Sequence, residues 1–163
     1  MNATLCSPCQ YQRNAKGKWP FVLTQDLQVL LNQGFIGTHV FFDGDKAIGS
    51  LAGDLLTLYA GYASDGASPG FTVPGFGWRW GTPSPASSAP GFFTHDFLYQ
   101  FGELACAPWT YSQADDALYS LLRAGGFQLP ATYHAAVTIF GGIFRRFGKA
   151  STTVSCSVHP TRP

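Results

Sequence analysis

The chain has 163 residues, a mass of 17.6 kDa and a net charge of +1, which fits one domain with a sizeable core. At 45% hydrophobic and 12% charged it is globular rather than disordered, with about half the usual charged share of about 25%. The near-neutral balance excludes the electrostatic footprint of a nucleic-acid binder, and so little charge suggests that a partner covers part of the surface.

Residues 1–18 are polar and without periodicity, which predicts an N-terminal arm. Arg13, Lys16 and Lys18 follow a polar start with no apolar h-region, so no signal peptide is expected. From Pro20, the positions Phe21, Leu23, Leu27, Val29 and Leu31 partly alternate as in a half-buried strand, while Leu23, Leu27, Leu30 and Leu31 equally fit a helical stripe. His39-Val40-Phe41-Phe42 running into Asp43-Gly44-Asp45 reads as a strand entering a turn. The apolar run from Leu55 through Tyr62 is the best strand in the chain, and it leads to Asp65-Gly66. Residues 69–90 are dense in Pro, Gly and Ser, a long loop that Trp78 and Trp80 are expected to pin.

The second half reads as three helices. Ser87 or Ser88 can cap the first, with Pro90 in its opening turn, and Gly102 ends it. Ser112 can cap the second, which stops at Gly125-Gly126. Leu129-Pro130 opens the third, whose stripe is Tyr133, Val137, Phe140, Phe144 and Phe147, with Arg145, Arg146 and Lys149 suiting its negative pole. Its longest uncharged stretch, 135–144, is far short of the roughly 20 residues that span a bilayer. Residues 150–163 form a polar, flexible C-terminal tail. The expected fold is α+β: a small antiparallel β portion over about 20–65, a long Gly/Pro/Trp loop, and a three-helix part over about 88–148, within one domain spanning 19–149.

Of the four cysteines, Cys6-x-x-Cys9 has the spacing of half a zinc site, but no second pair follows. Cys6, Cys9, Cys106 and Cys156 are expected to be reduced thiols, because nothing marks the chain as secreted.

In a chain so poor in charge, His95-Asp96-x-x-Tyr99 and Ala114-Asp115-Asp116 stand out. On one helix His95 and Tyr99 share a face, while Asp96 projects about 100° away. A second helix packed alongside brings Asp115 or Asp116 to the far ring nitrogen of His95, where a carboxylate fixes the tautomer and stabilises the imidazolium. A calcium ion would take Asp96 and loop carbonyls and polarise an ester. Blander roles stand beside these. Ser112-x-x-Asp115 has capping-box spacing, so Asp115 can simply serve a helix end, and Asp65-Gly66 has the composition of a hairpin turn. His39, His134 and His159 lack partners at ligand spacing and read as structural or exposed, and Asp116 as solvated.

The residues Ser64-Asp65-Gly66-Ala67-Ser68, His95-Asp96-x-x-Tyr99 and Ala114-Asp115 resemble a phage and prophage family known only as a domain of unknown function. The likeness covers roughly 21–148, with Ser64 where that family has Thr and a longer insert between Pro69 and His95. The same core is similar to phospholipases A2, whose His-Asp-x-x-Tyr helix is followed by a Tyr-x-x-Ala-Asp helix, here Tyr111-Ser112-Gln113-Ala114-Asp115. That resemblance implies His95 as general base, Asp115 as the residue orienting it, Tyr99 as support for Asp115, and Asp96 as calcium ligand. A calcium loop of Tyr-x-Gly-x-Gly form is missing; the segment from Gly61 to Gly66, with Asp65 near the cation, is the substitute.

The expectation is therefore a phage-encoded, calcium-assisted ester or lipid hydrolase acting on phospholipid or another ester, in the host cytoplasm or the assembled virion. The alternative is a non-catalytic capsid or tail component, bound to other phage structural proteins, that keeps the helix pair as scaffold. A His–Asp metal phosphohydrolase is a third class, but it needs further histidines that His39 and His134 are poorly placed to supply.

Overall fold

The computed structural model describes residues 1–13, 21–64, 87–127, 130–147 and 154–159. The fold is α+β. Among the described residues, eight strands precede three helices and a ninth strand follows them: β1 (Thr4–Leu5), β2 (Tyr11–Arg13), β3 (Phe21–Leu23), β4 (Leu27–Leu30), β5 (Thr38–Asp43), β6 (Lys46–Ala52), β7 (Leu55–Leu58), β8 (Ala63–Ser64), α1 (Ala89–Phe101), α2 (Tyr111–Ala124), α3 (Pro130–Phe147) and β9 (Val154–His159). One antiparallel sheet has the order β1-β4-β7-β6-β5-β9, and a smaller one the order β2-β3-β8.

The ambiguous stretch after residue 20 is two strands. Leu27 and Val29 of β4 point into the core at period two, paired with Leu58 and Leu56 of β7. The run from Leu55 stops being strand at Leu58, because Gly61 has φ +88° and turns the chain into β8. His39 and Phe41 face inward from β5, and Phe41 lies opposite Gly49 of β6.

α1 is apolar on nearly every side and is correspondingly the central helix. Phe97 meets Phe41 edge-on and Phe101 meets it tilted, at ring-centroid distances of 5.4 and 5.0 Å, and Trp109 joins them at 5.3 Å while donating to the Leu98 carbonyl at 2.8 Å. α2 lies along α1 through Ala114, Ala117, Leu118 and Leu121, where Gly91 leaves room: a Cβ there would sit 3.2 Å from Leu118. Tyr133 and Val137 of α3 pack on the cluster of Phe92, Leu118 and Leu122, as the stripe predicted.

Four expectations are corrected. Residues 1–13 are not a loose arm: β1 and β2 join both sheets, and Gln25 and Ser7 tie the intervening turn down through Pro8 and Gln28. The tail is not wholly flexible either, since β9 pairs with β5 over six residues, its Val154, Cys156 and Val158 alternating with polar positions. Cys106 and Cys156 form a disulfide, with Cα atoms 6.5 Å apart, rather than two thiols; Cys6 and Cys9 are free. Finally, α2 is capped by Thr110, not Ser112. The Thr110 hydroxyl accepts from the Gln113 N–H at 3.3 Å and the Gln113 side chain accepts from the Thr110 N–H at 2.8 Å, a full capping box two residues earlier. The expectations for Asp65-Gly66, Trp78, Trp80 and Lys149 lie outside the described residues.

Candidate active site

Starting α2 at Tyr111 puts Asp115 one turn in, on the face toward α1, flanked by the buried Ala114. With its capping role taken by Gln113, the Asp115 carboxylate is turned inward and 6% exposed. His95 Nε2 lies 3.0 Å from Asp115 Oδ1, and the Tyr99 hydroxyl donates to the same oxygen at 2.6 Å. One turn separates His95 from Tyr99 on α1, so their rings also meet, with centroids 4.2 Å apart. Tyr111 in turn packs edge-on against Tyr99. His95 and Tyr99 thus share a face as their spacing predicted, and of the two acids that spacing allowed it is Asp115 that joins them, as the phospholipase resemblance implied.

The tautomer follows from the partners. An ionised carboxylate only accepts, so Nε2 carries the hydrogen and the lone pair of neutral His95 sits on Nδ1. Nδ1 lies 3.8 Å from Asp96 Oδ1, beyond hydrogen-bond length. Burial, the largest influence on the imidazole, pushes its pKa down; the neighbouring carboxylates of Asp115 and Asp96 outweigh it and hold the pKa above the ordinary 6.5.

Two polar contacts escaped the sequence reading. The buried Ser64 hydroxyl, at the end of β8, donates to Asp96 Oδ2. Thr138 of α3 donates to Asp115 Oδ2 at 3.3 Å, so the third helix also reaches the site. Ser64 and Asp96 are 32 positions apart, and no local spacing announces their contact. Thr138 does sit one residue past Val137 on the apolar stripe, a signal that it flanks the packed face.

The remaining acids and histidines behave differently. Asp116 turns away from His95; its Oδ2 is 2.8 Å from the Met1 amino group, and its Oδ1 lies 3.3 Å from His134 Nε2 without a hydrogen bond between them. His39 is buried with Nε2 3.3 Å from the Ile36 carbonyl, and His159 is exposed at the end of β9.

Calcium takes about six to eight oxygen ligands. Near Asp96 the donors shown are its own carboxylate and the Ser64 hydroxyl, and Asp65 lies outside the described residues. No three His, Cys, Asp or Glu side chains converge among the described residues. Nor, among the described residues, is any helix long and apolar enough to cross a membrane.

No family model, curated protein or solved structure matches the chain. Function is read from the geometry around His95.

Proposed function

We propose that this protein is a small ester hydrolase of the phospholipase A2 type, with His95 as its general base. The observation that carries the reading is the Asp115 carboxylate, which binds His95 Nε2 at 3.0 Å and the Tyr99 hydroxyl at 2.6 Å, and so directs the basic lone pair to the opposite ring nitrogen.

In the reaction, Nδ1 of His95 takes a proton from water as the water oxygen bonds to the ester carbonyl carbon. Asp115 stabilises the imidazolium so formed. When the tetrahedral intermediate collapses, the bond to the leaving alkoxide breaks and His95 returns the proton to it, leaving a carboxylic acid and an alcohol. Tyr99 contributes by fixing the Asp115 oxygen that faces the ring. A phospholipid is the substrate class to test first, as the resemblance implies, and calcium enters as an arm of the experiment.

The test is fatty-acid release from mixed phospholipid vesicles, with calcium and with chelator, by wild type and His95→Ala. Turnover reduced about 10²–10⁴-fold in the variant is expected. Dependence on added calcium would bring in an ion at Asp96 with ligands beyond those described, whereas turnover in chelator would establish a metal-free site. Failure to release fatty acid in every condition, with a melting temperature unmoved by calcium, would sink the hydrolase reading. The helix pair would then be the scaffold of a particle component, to be sought in assembled virions.

A further inference from the structure

Among the described residues, the two oxygens of the Asp96 carboxylate face different neighbours. Its Oδ2 accepts from Ser64, and its Oδ1 faces Nδ1 of His95 across 3.8 Å. Such a gap suits a water molecule sitting at about 2.8 Å from each atom and donating one hydrogen to each. The angle subtended at that water would be close to a right angle, within the range a donating water tolerates. Asp96 projects away from the His95 face of α1, and its side chain is 22% exposed.

Ser64 supplies a fixed point from outside the helix. It lies in β8, whose partner β3 is itself paired to β2, so its backbone is held by the small sheet. The residue as a whole is 2% exposed. That burial leaves the hydroxyl poorly placed to attack an ester itself.

We propose that Ser64 is a positioning residue, which orients Asp96 so that Asp96 Oδ1 and His95 Nδ1 together grip the attacking water. This rests on the hydrolase reading of His95 and gives the small sheet a part in the reaction. Asp96 accepts one hydrogen of the water and His95 removes the other as the oxygen attacks. No further reactant is needed.

The experiment is a double-mutant cycle of Ser64→Ala and Asp96→Ala, with Ser64→Thr as the conservative variant. Ester hydrolysis and urea unfolding are both measured on the full chain. Loss of a hydrogen bond to a charged group predicts that Ser64→Ala lowers kcat about 10- to 100-fold with KM changed little. Ser64→Thr restores most of the rate. Because Ser64 acts through Asp96, the double variant is no slower than Asp96→Ala alone, which a general loss of structure would not produce. Independent, multiplicative effects on kcat would overturn the proposal, as would covalent labelling of Ser64 by a fluorophosphonate, which would make it a nucleophile. The unfolding cycle separates this inference from the hydrolase reading. If wild type hydrolyses no ester, non-additive stabilities uphold the Ser64–Asp96 placement while the hydrolase reading fails; additive stabilities overturn the placement itself.

Discussion

Asp115 and Asp96 both favour the charged form of His95, whereas its burial opposes that form, and the carboxylates prevail. Two opposite pH trends follow. As a base His95 must be neutral, so hydrolysis should rise with pH along a limb whose midpoint lies above 6.5. In stability the sign reverses: a folded-state pKa above the unfolded value gives stabilisation that is complete below about 6.5 and lost as pH rises through the folded pKa. Asp115→Asn removes the hydrogen bond that, after burial, is the largest single influence on the imidazole. It should shift the rate limb to lower pH, lower the rate, and flatten the decline of stability with pH; denaturation midpoints across a pH series would show this. A limb that stays in place in Asp115→Asn would mean that Asp115 does not govern the base. At this scale the sequence was informative for His95, Tyr99 and Asp115, because helical spacing brings the first two together and a second acidic helix supplies the third. It was silent on the contact of Ser64 with Asp96, which depends on how β8 meets α1.

Individual elements show why local spacing can mislead. Both Thr110-x-x-Gln113 and Ser112-x-x-Asp115 satisfy the capping pattern, and the choice between them decides whether Asp115 serves a helix end or the site. The loop packing around Trp109 starts the helix at Tyr111, which gives the cap to Thr110 and frees Asp115 to face His95. The C-terminal strand was hidden for a different reason. Its partner β5 lies more than 100 residues away in sequence, and its alternation of Val154, Cys156 and Val158 is too short to stand out from a polar tail. As an edge strand, β9 is held by one ladder and by the Cys106–Cys156 bridge. The bridge spans 50 residues of sequence, for which loss of loop-closure entropy gives a stabilisation on the order of 4 kcal/mol. Reduction, or Cys156→Ser, should therefore lower the unfolding free energy by up to about that amount. Amide exchange should speed up first over residues 154–159, while β4 and β7 at the sheet's centre keep their protection in native conditions. Equal exchange at β9 in oxidised and reduced protein would show that the ladder alone holds the strand.

The whole molecule is arranged so that the large sheet sets the height of α1, and α1 carries half the site. The order of elements made the α+β class legible, since strand signals precede three helical stripes. The full width of the sheet was not legible, because β1 and β9 are recruited from segments whose composition reads as polar ends. The contact that fixes the sheet-to-helix distance involves Gly49 of β6. A Cβ there would lie 2.6 and 2.7 Å from Phe97 ring atoms and 2.9 Å from the Thr57 carbonyl, so the ring of Phe97 occupies the space a side chain would need. Phe97 follows Asp96 directly and is two residues from His95, so any lift of α1 moves both. Overpacking of this kind costs about 1–3 kcal/mol, and Gly49→Ala should show that loss in urea unfolding. It should also lower hydrolysis more than the stability loss explains, since the folded fraction remains high while His95 and Asp96 shift relative to Asp115 and Ser64. Phe97→Leu shortens the obstructing side chain and should recover part of both losses in the Gly49→Ala background, although Phe97→Leu by itself is destabilising. Additive losses in the double variant would show that the ring does not set the spacing. A Gly49→Ala protein with a full loss of stability but unaltered turnover would detach the site's geometry from the sheet beneath it.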